Sequence, residues 1–149
     1  MFKHILIPTD GSRLAAKGVR AGVRLAKVLR AKVTGLHVSF PYVPPFYGEA
    51  ALYYFPGLSP AEFKRITAKQ TSKVLKPLVG EARKASVACR TRSVVAGQPW
   101  QAILQAARSA GCDAIVMASH GRSGVGSLIL GSQTTQVLAR SKIPVLVVR

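Results

Sequence analysis

DAIVMASHGRSGVGSLILGSQTTQVLAR, Asp113 to Arg140, is the stretch on which the fold turns. An apolar run, AIVMA, leads through a loop of small residues into SQTTQVLAR, which has a helical pattern. Four glycines and four serines lie between Ala118 and Gln133. A short continuous apolar run bounded by turn residues reads as a strand buried on both faces, the kind that parallel sheets contain. A strand, a glycine-rich turn and a helix in that order make half of a βαβ unit.

Working outward from it, the same unit recurs along the chain. KHILIPTDGS is a short apolar strand ending in a turn, and Ser12 is placed to cap a helix to about Arg30. In that helix Arg13, Lys17, Arg20, Arg24 and Lys27 recur every three or four residues, opposite Ala15, Val19, Val23 and Ala26. AKVTGLHV, 31–38, is a second strand. A helix is expected from about Pro60 to Ala85, kinked near Pro77 and Gly80. VACRTRSVVAG alternates, with Arg90 and Arg92 on one face, as an exposed edge strand does. Pro99 opens a helix to Ser109, which Gly111 ends. IPVLVVR is the last strand. Strands joined through helices require a parallel sheet with right-handed crossovers. The expectation is therefore one α/β domain over 1–149, doubly wound, with five parallel strands. Residues 40–60 interrupt the pattern with five prolines and seven of the ten aromatic residues, so they read as a long loop.

Composition narrows the function. At 149 residues and 48% hydrophobic, the chain can bury one substantial core. No apolar run approaches the roughly 18 residues needed to span a bilayer, and MFKHILIPTDGS is too short in its apolar part for a signal peptide. A cytoplasmic protein is expected. Cys89 and Cys112 lack a CxxC partner, and His4, His37 and His120 lack metal-ligand spacing, so no metal site is expected. Twenty-two Lys and Arg against five acids give a net charge of +17. That charge bears on partners, nucleic acid or another polyanion among them, and not on fold. Helix positions Arg65, Lys69, Lys73 and Lys76 make a second basic face beside that of the first helix.

Two loops can carry chemistry: PTDGS after the first strand, and ASHGRSGVGSLILGS after the fourth. If those strands are neighbours, both loops meet at one crevice. Glycines let backbone N–H groups approach an anion, and the following helix offers free amides and its positive end. Ser132 and Thr134 add hydroxyls and Arg122 adds charge, so a phosphate chain fits. Glycine-rich turns also serve as plain connections, and neither GxxxxGK[ST] nor GxGxxG is present.

Taken as a whole, ILIPTDGS, LHV, GQPWQAIL and DAIVMASHGRSG…LILGSQTTQVLARSKIPVLVVR resemble the universal stress protein family. The likeness covers nearly all of the chain except 40–60. ATP-binding members carry Gly-x2-Gly-x9-Gly-Ser; here Gly121 and Gly131-Ser132 are separated by the required nine residues, while Ala118 stands at the first glycine. The resemblance implies ATP as ligand, with magnesium near Asp10 or Asp10 on the ribose. It implies that Pro8, Thr9 and Val38 border the nucleoside, with backbone groups of Val38 reading adenine. Met117 and Ala118 would lie under the ribose and α-phosphate, and Gly121, Arg122, Gly131, Ser132, Gln133 and Thr134 would hold the phosphates. It also implies a homodimer through the last strand, which lies at a sheet edge once the strand order 3-2-1-4-5 is adopted and whose apolar edge invites pairing. No catalytic residue is assigned: Asp10 is the one acid near the site, His120 is a lone loop histidine, and no nucleophile elbow is present. Two readings stand side by side: a nucleotide-binding regulatory protein of the stress response, with slow ATP hydrolysis at most, and a basic non-catalytic module for nucleic acid or another polyanion.

Overall fold

The computed structural model describes residues 1–41, 59–119 and 131–149. Its strands are β1 (His4–Pro8), β2 (Lys32–Ser39), β3 (Cys89–Val95), β4 (Ala114–Ala118) and β5 (Val145–Val148). Its helices are α1 (Arg13–Leu29), α2 (Pro60–Lys84), α3 (Pro99–Ala110) and α4 (Ser132–Arg140). The strands form one all-parallel sheet in the order β3-β2-β1-β4-β5. The alternation of elements predicts this parallel, doubly wound sheet, and the order puts β3 and β5 at its edges.

Two cores lie on the two faces of the sheet. Ile5, Ile7, Val33, Ala114 and Val116 pack with Val19, Val23 and Ala26 of α1 and Leu78 and Ala82 of α2. Leu6, Leu36, Ile115 and Met117 pack on the other side with Ile103, Ala106 and Ala107 of α3 and Val137 of α4. Neighbouring residues of one strand thus enter opposite cores, as the pleat requires. Ile5, Leu6 and Ile7 are wholly buried, each contributing about 1.5–3 kcal/mol, so β1 anchors both layers.

Local chemistry sets the helix ends. Ser12 Oγ accepts from the Ala15 N–H and starts α1; Arg30, in the left-handed region, ends it. Ser59 and Glu62 form a reciprocal capping box at the start of α2. α2 is assigned as one continuous helix with Pro77 inside it. Gly111, at φ 65°, closes α3.

Candidate functional site

β1 and β4 are adjacent, so the loops that leave their carboxyl ends meet where the sheet's winding reverses. Ligands of open α/β sheets bind at this switch point.

The β1 side of the crevice is a stiff turn. Thr9 N–H donates to Leu36 O at 2.8 Å, and the His37 ring donates from Nδ1 to Thr9 O at 3.0 Å. Thr9 Oγ1 accepts from Gly11 N–H, and Asp10 Oδ1 accepts from Ser12 N–H at 2.9 Å. Gly11 has φ 79°, and a side chain there would be strained and would press on Val74. Asp10 thus braces the turn, while Ser12 caps α1. Pro8 is the last residue of β1, and Val38 lies beyond it on the neighbouring strand, half-buried. Even-numbered residues of β2 aim their backbone groups at β1: Lys32 N–H reaches Lys3 O, and Leu36 O takes Thr9 N–H. Odd-numbered ones face β3, as Val33 N–H to Ala88 O shows. Val38 belongs to the even set, so its N–H and C=O point into the crevice past the end of β1.

The β4 side is clasped at its base. Gly131 N–H donates to Ser119 O at 2.8 Å, and Thr134 Oγ1 donates to Ala118 O at 3.0 Å. These bonds fix the first turn of α4 against the end of β4. Thr134 is 3% exposed and its hydroxyl proton is engaged with Ala118, so it offers an anion its backbone amide. Ser132 is exposed, and Gly131 caps α4 without a side-chain hydrogen bond, with φ −59°, which any residue can adopt. The helix therefore opens on backbone N–H groups and a positive dipole end. Gln133 is shared: its Oε1 accepts from Trp100 N–H at 3.0 Å, supplying the cap that Gln98 does not give to α3, while its Nε2 reaches Ser132 Oγ at 3.5 Å. Arg140 lies over the Trp100 ring, 4.8 Å from its centre.

Met117 belongs to the α3–α4 core and is 6% exposed. Ala118 is the next residue, so its methyl faces α1, on the side of Ala114 and Val116. Positive φ among the described non-glycine residues occurs only at Arg30 and Ser86, so alanine sits at 118 without strain. The backbone here is approached closely: a Cβ on Gly18 of α1 would stand 3.0 Å from Ala118 N. Gly121, Arg122 and His120 lie outside the described residues.

Two positioning residues, His37 and Gly18, lie outside the site read from sequence, and Gln133, read there as a phosphate contact, takes a positioning role. His37 ties β2 to the Thr9 turn, Gly18 lets α1 rest on β4, and Gln133 joins the site to α3. Gly18 and Gly22, four apart on the apolar face of α1, were the legible signal. Burial raises the Cys112 thiol to about 11 and also raises Cys89, which removes both from nucleophilic roles near neutral pH. Among the described residues no three His, Cys, Asp or Glu side chains gather as metal ligands would.

The whole chain, residues 1–149, matches the universal stress protein family. A universal stress protein of Thermus aquaticus, encoded in the QAH/OAS sulfhydrylase 3′ region, is 35% identical over 150 residues, with all of both chains covered. Among solved structures, the MJ0577 protein of Methanocaldococcus jannaschii superposes with a TM-score of 0.75 at 28% identity, over 99% of this chain and 96% of that one. A universal stress protein in complex with cAMP shares the fold with a TM-score of 0.69 at 22% identity, over 99% and 97% of the two chains. The chain belongs to the universal stress protein family.

Proposed function

We propose that the protein is a nucleotide-binding regulator of the stress response that takes ATP, with magnesium, between the β1 turn and the start of α4. The observation that carries this reading is the convergence of two structures on the switch point. One is a helix that opens on backbone amides, clasped to β4 by Gly131 and Thr134. The other is a rigid Thr9–Ser12 turn beside the inward-facing backbone groups of Val38. The amides of Ser132, Gln133 and Thr134 and the Ser132 hydroxyl receive phosphate oxygens, joined by Gly121 and Arg122; Val38 meets the base, and Asp10 meets ribose or magnesium. A related protein of the same fold solved with cAMP supports the class of ligand.

The test is calorimetry and thermal shift with ATP and magnesium, together with mass spectrometry of nucleotide released from purified protein on denaturation. Binding that is lost in Gly131→Val, with the melting curve retained, is expected. No heat and no thermal shift at millimolar ATP would refute the reading.

β5 is a sheet edge of valines and a half-exposed Leu146, which supports a homodimer paired through this strand. A monomer by light scattering at micromolar concentration, unchanged by salt, would count against it. No helix among the described residues is long and apolar enough to cross a membrane, and a cytoplasmic place is proposed. One observation favours a second, polyanion-binding role: α1 and α2 lie in the same layer, both packed into one core, with their basic residues exposed. Sequence-indifferent affinity for DNA or RNA should fall steeply with salt and weaken on reversing Arg20 and Arg24 to Glu.

A further inference from the structure

At the opposite pole of the sheet, where β1, β2 and β3 begin, a recess of about 770 Å³ opens beside the end of α3. Its lining includes His4, Lys32, Thr34, Arg90, Arg92 and Ser109, and none of its lining residues is acidic. Strand parity explains the cluster. His4, Lys32 and Thr34 point to the same side as Leu6 and Leu36, and Arg90 and Arg92 to the side of Val94, all toward the α3–α4 core. Register then sets His4 beside Lys32, Thr34 beside Arg90 and Leu36 beside Arg92. Lys32 and Arg90 are diagonal neighbours, roughly 7–8 Å apart at the backbone.

Like charges so placed repel, yet no carboxylate answers them. The single ion pair among the described residues is Lys84 with Glu81. Asp113 lies near His4 but is held by the Lys3 and His4 N–H groups, outside the lining. Arg92 is aimed by its bond to Ser109 Oγ, at 2.7 Å. His4 is 8% exposed; Nε2 pairs with Thr34 Oγ1 at 2.8 Å, while Nδ1 has no partner of good geometry. The carboxyl end of α3 brings about half a negative charge, which three full positive charges outweigh.

We infer that this recess is a second ligand site, for a compact phosphorylated anion of charge −2 or more. Two guanidinium groups and an ammonium suit the tetrahedral oxygens of a phosphoryl group better than a single carboxylate. The volume is that of a small-molecule cleft. It is independent of the nucleotide crevice, which lies at the other ends of the strands.

The test titrates inorganic pyrophosphate at constant ionic strength, by calorimetry and by the imidazole NMR signals of His4, assigned through His4→Gln. In the natural protein and in Gly131→Val, the His4 signals should shift on binding. Arg90→Gln/Arg92→Gln should bind at least tenfold more weakly with an unchanged melting curve, since both side chains are exposed. Equal affinity in the double variant, or loss in Gly131→Val instead, would overturn the proposal. So would equal binding of citrate, or no shift of His4 at millimolar pyrophosphate.

Discussion

Replacing Thr134 by valine removes one hydroxyl from a side chain that keeps its shape. The hydroxyl donates to Ala118 O at 3.0 Å, inside a buried contact between the first turn of α4 and the end of β4. Valine leaves that carbonyl without its side-chain donor, a loss of about 1–3 kcal/mol. Helix propensity barely changes, because both residues are β-branched. With an unfolding entropy of about 2.1 cal/mol/K per residue, that loss lowers the melting temperature by roughly 3–10 °C. Thr134→Ser should recover most of it. Ser132, two residues earlier and exposed, gives the contrast: Ser132→Ala should leave stability within about 0.5 kcal/mol. It should instead weaken ATP by about 1.5–3 kcal/mol, on the order of ten- to a hundredfold. Thermal melts of ligand-free protein at fixed concentration, followed by calorimetry, separate the two hydroxyls. If Thr134→Val melts with the natural protein, or Ser132→Ala carries the larger stability loss, the division of labour is wrong.

Ala118→Gly should leave ATP affinity within about twofold while costing about 1 kcal/mol of stability, because the methyl packs toward α1 and glycine weakens a strand; a strong rise in affinity by calorimetry would place the methyl in the crevice instead. Gly18→Ala should lower the melting temperature, since its Cβ would stand 3.0 Å from Ala118 N, and overpacking of about 1–3 kcal/mol exceeds the gain of about 1 kcal/mol in helix propensity. A higher melting temperature would show that α1 can lift off β4 freely. Acidification should destabilise the fold from neutral pH downward. Burial, then Lys32, hold His4 below its ordinary 6.5, so the unfolded chain takes up the proton first, and stability present above that value is lost as pH falls toward the folded one. Asp113 adds a second loss at lower pH: burial would raise its carboxyl, but the Lys3 and His4 N–H groups hold it below 3.8. Denaturant midpoints between pH 7 and 5 should flatten in His4→Gln, and an unaltered slope would assign the loss elsewhere.

The elements were legible because each has a local cause, whereas the sheet order rests on pairing between distant strands such as β1 with β4. A period of two or of three to four, a serine before a helix and a glycine after one are properties of neighbouring residues. Strand parity even placed Arg90 and Arg92 together on one face. What escaped was set by contacts between residues distant in sequence. α3 begins at Gln98 with no capping side chain, and sequence offers nothing there; the missing acceptor is Gln133, 35 residues later, on a helix that packs alongside. That same glutamine directly follows the Gly-Ser of the phosphate motif, where position alone assigns it to the ligand. Its Oε1 is taken by Trp100 N–H while its Nε2 reaches Ser132 Oγ at 3.5 Å, so the residues that open α4 divide between binding and support. Thr134 divides the same way, its hydroxyl to Ala118 and its amide to the open turn of α4. A motif therefore reports which residues gather at a site, while hydrogen-bond partners decide which of them remain available to a ligand.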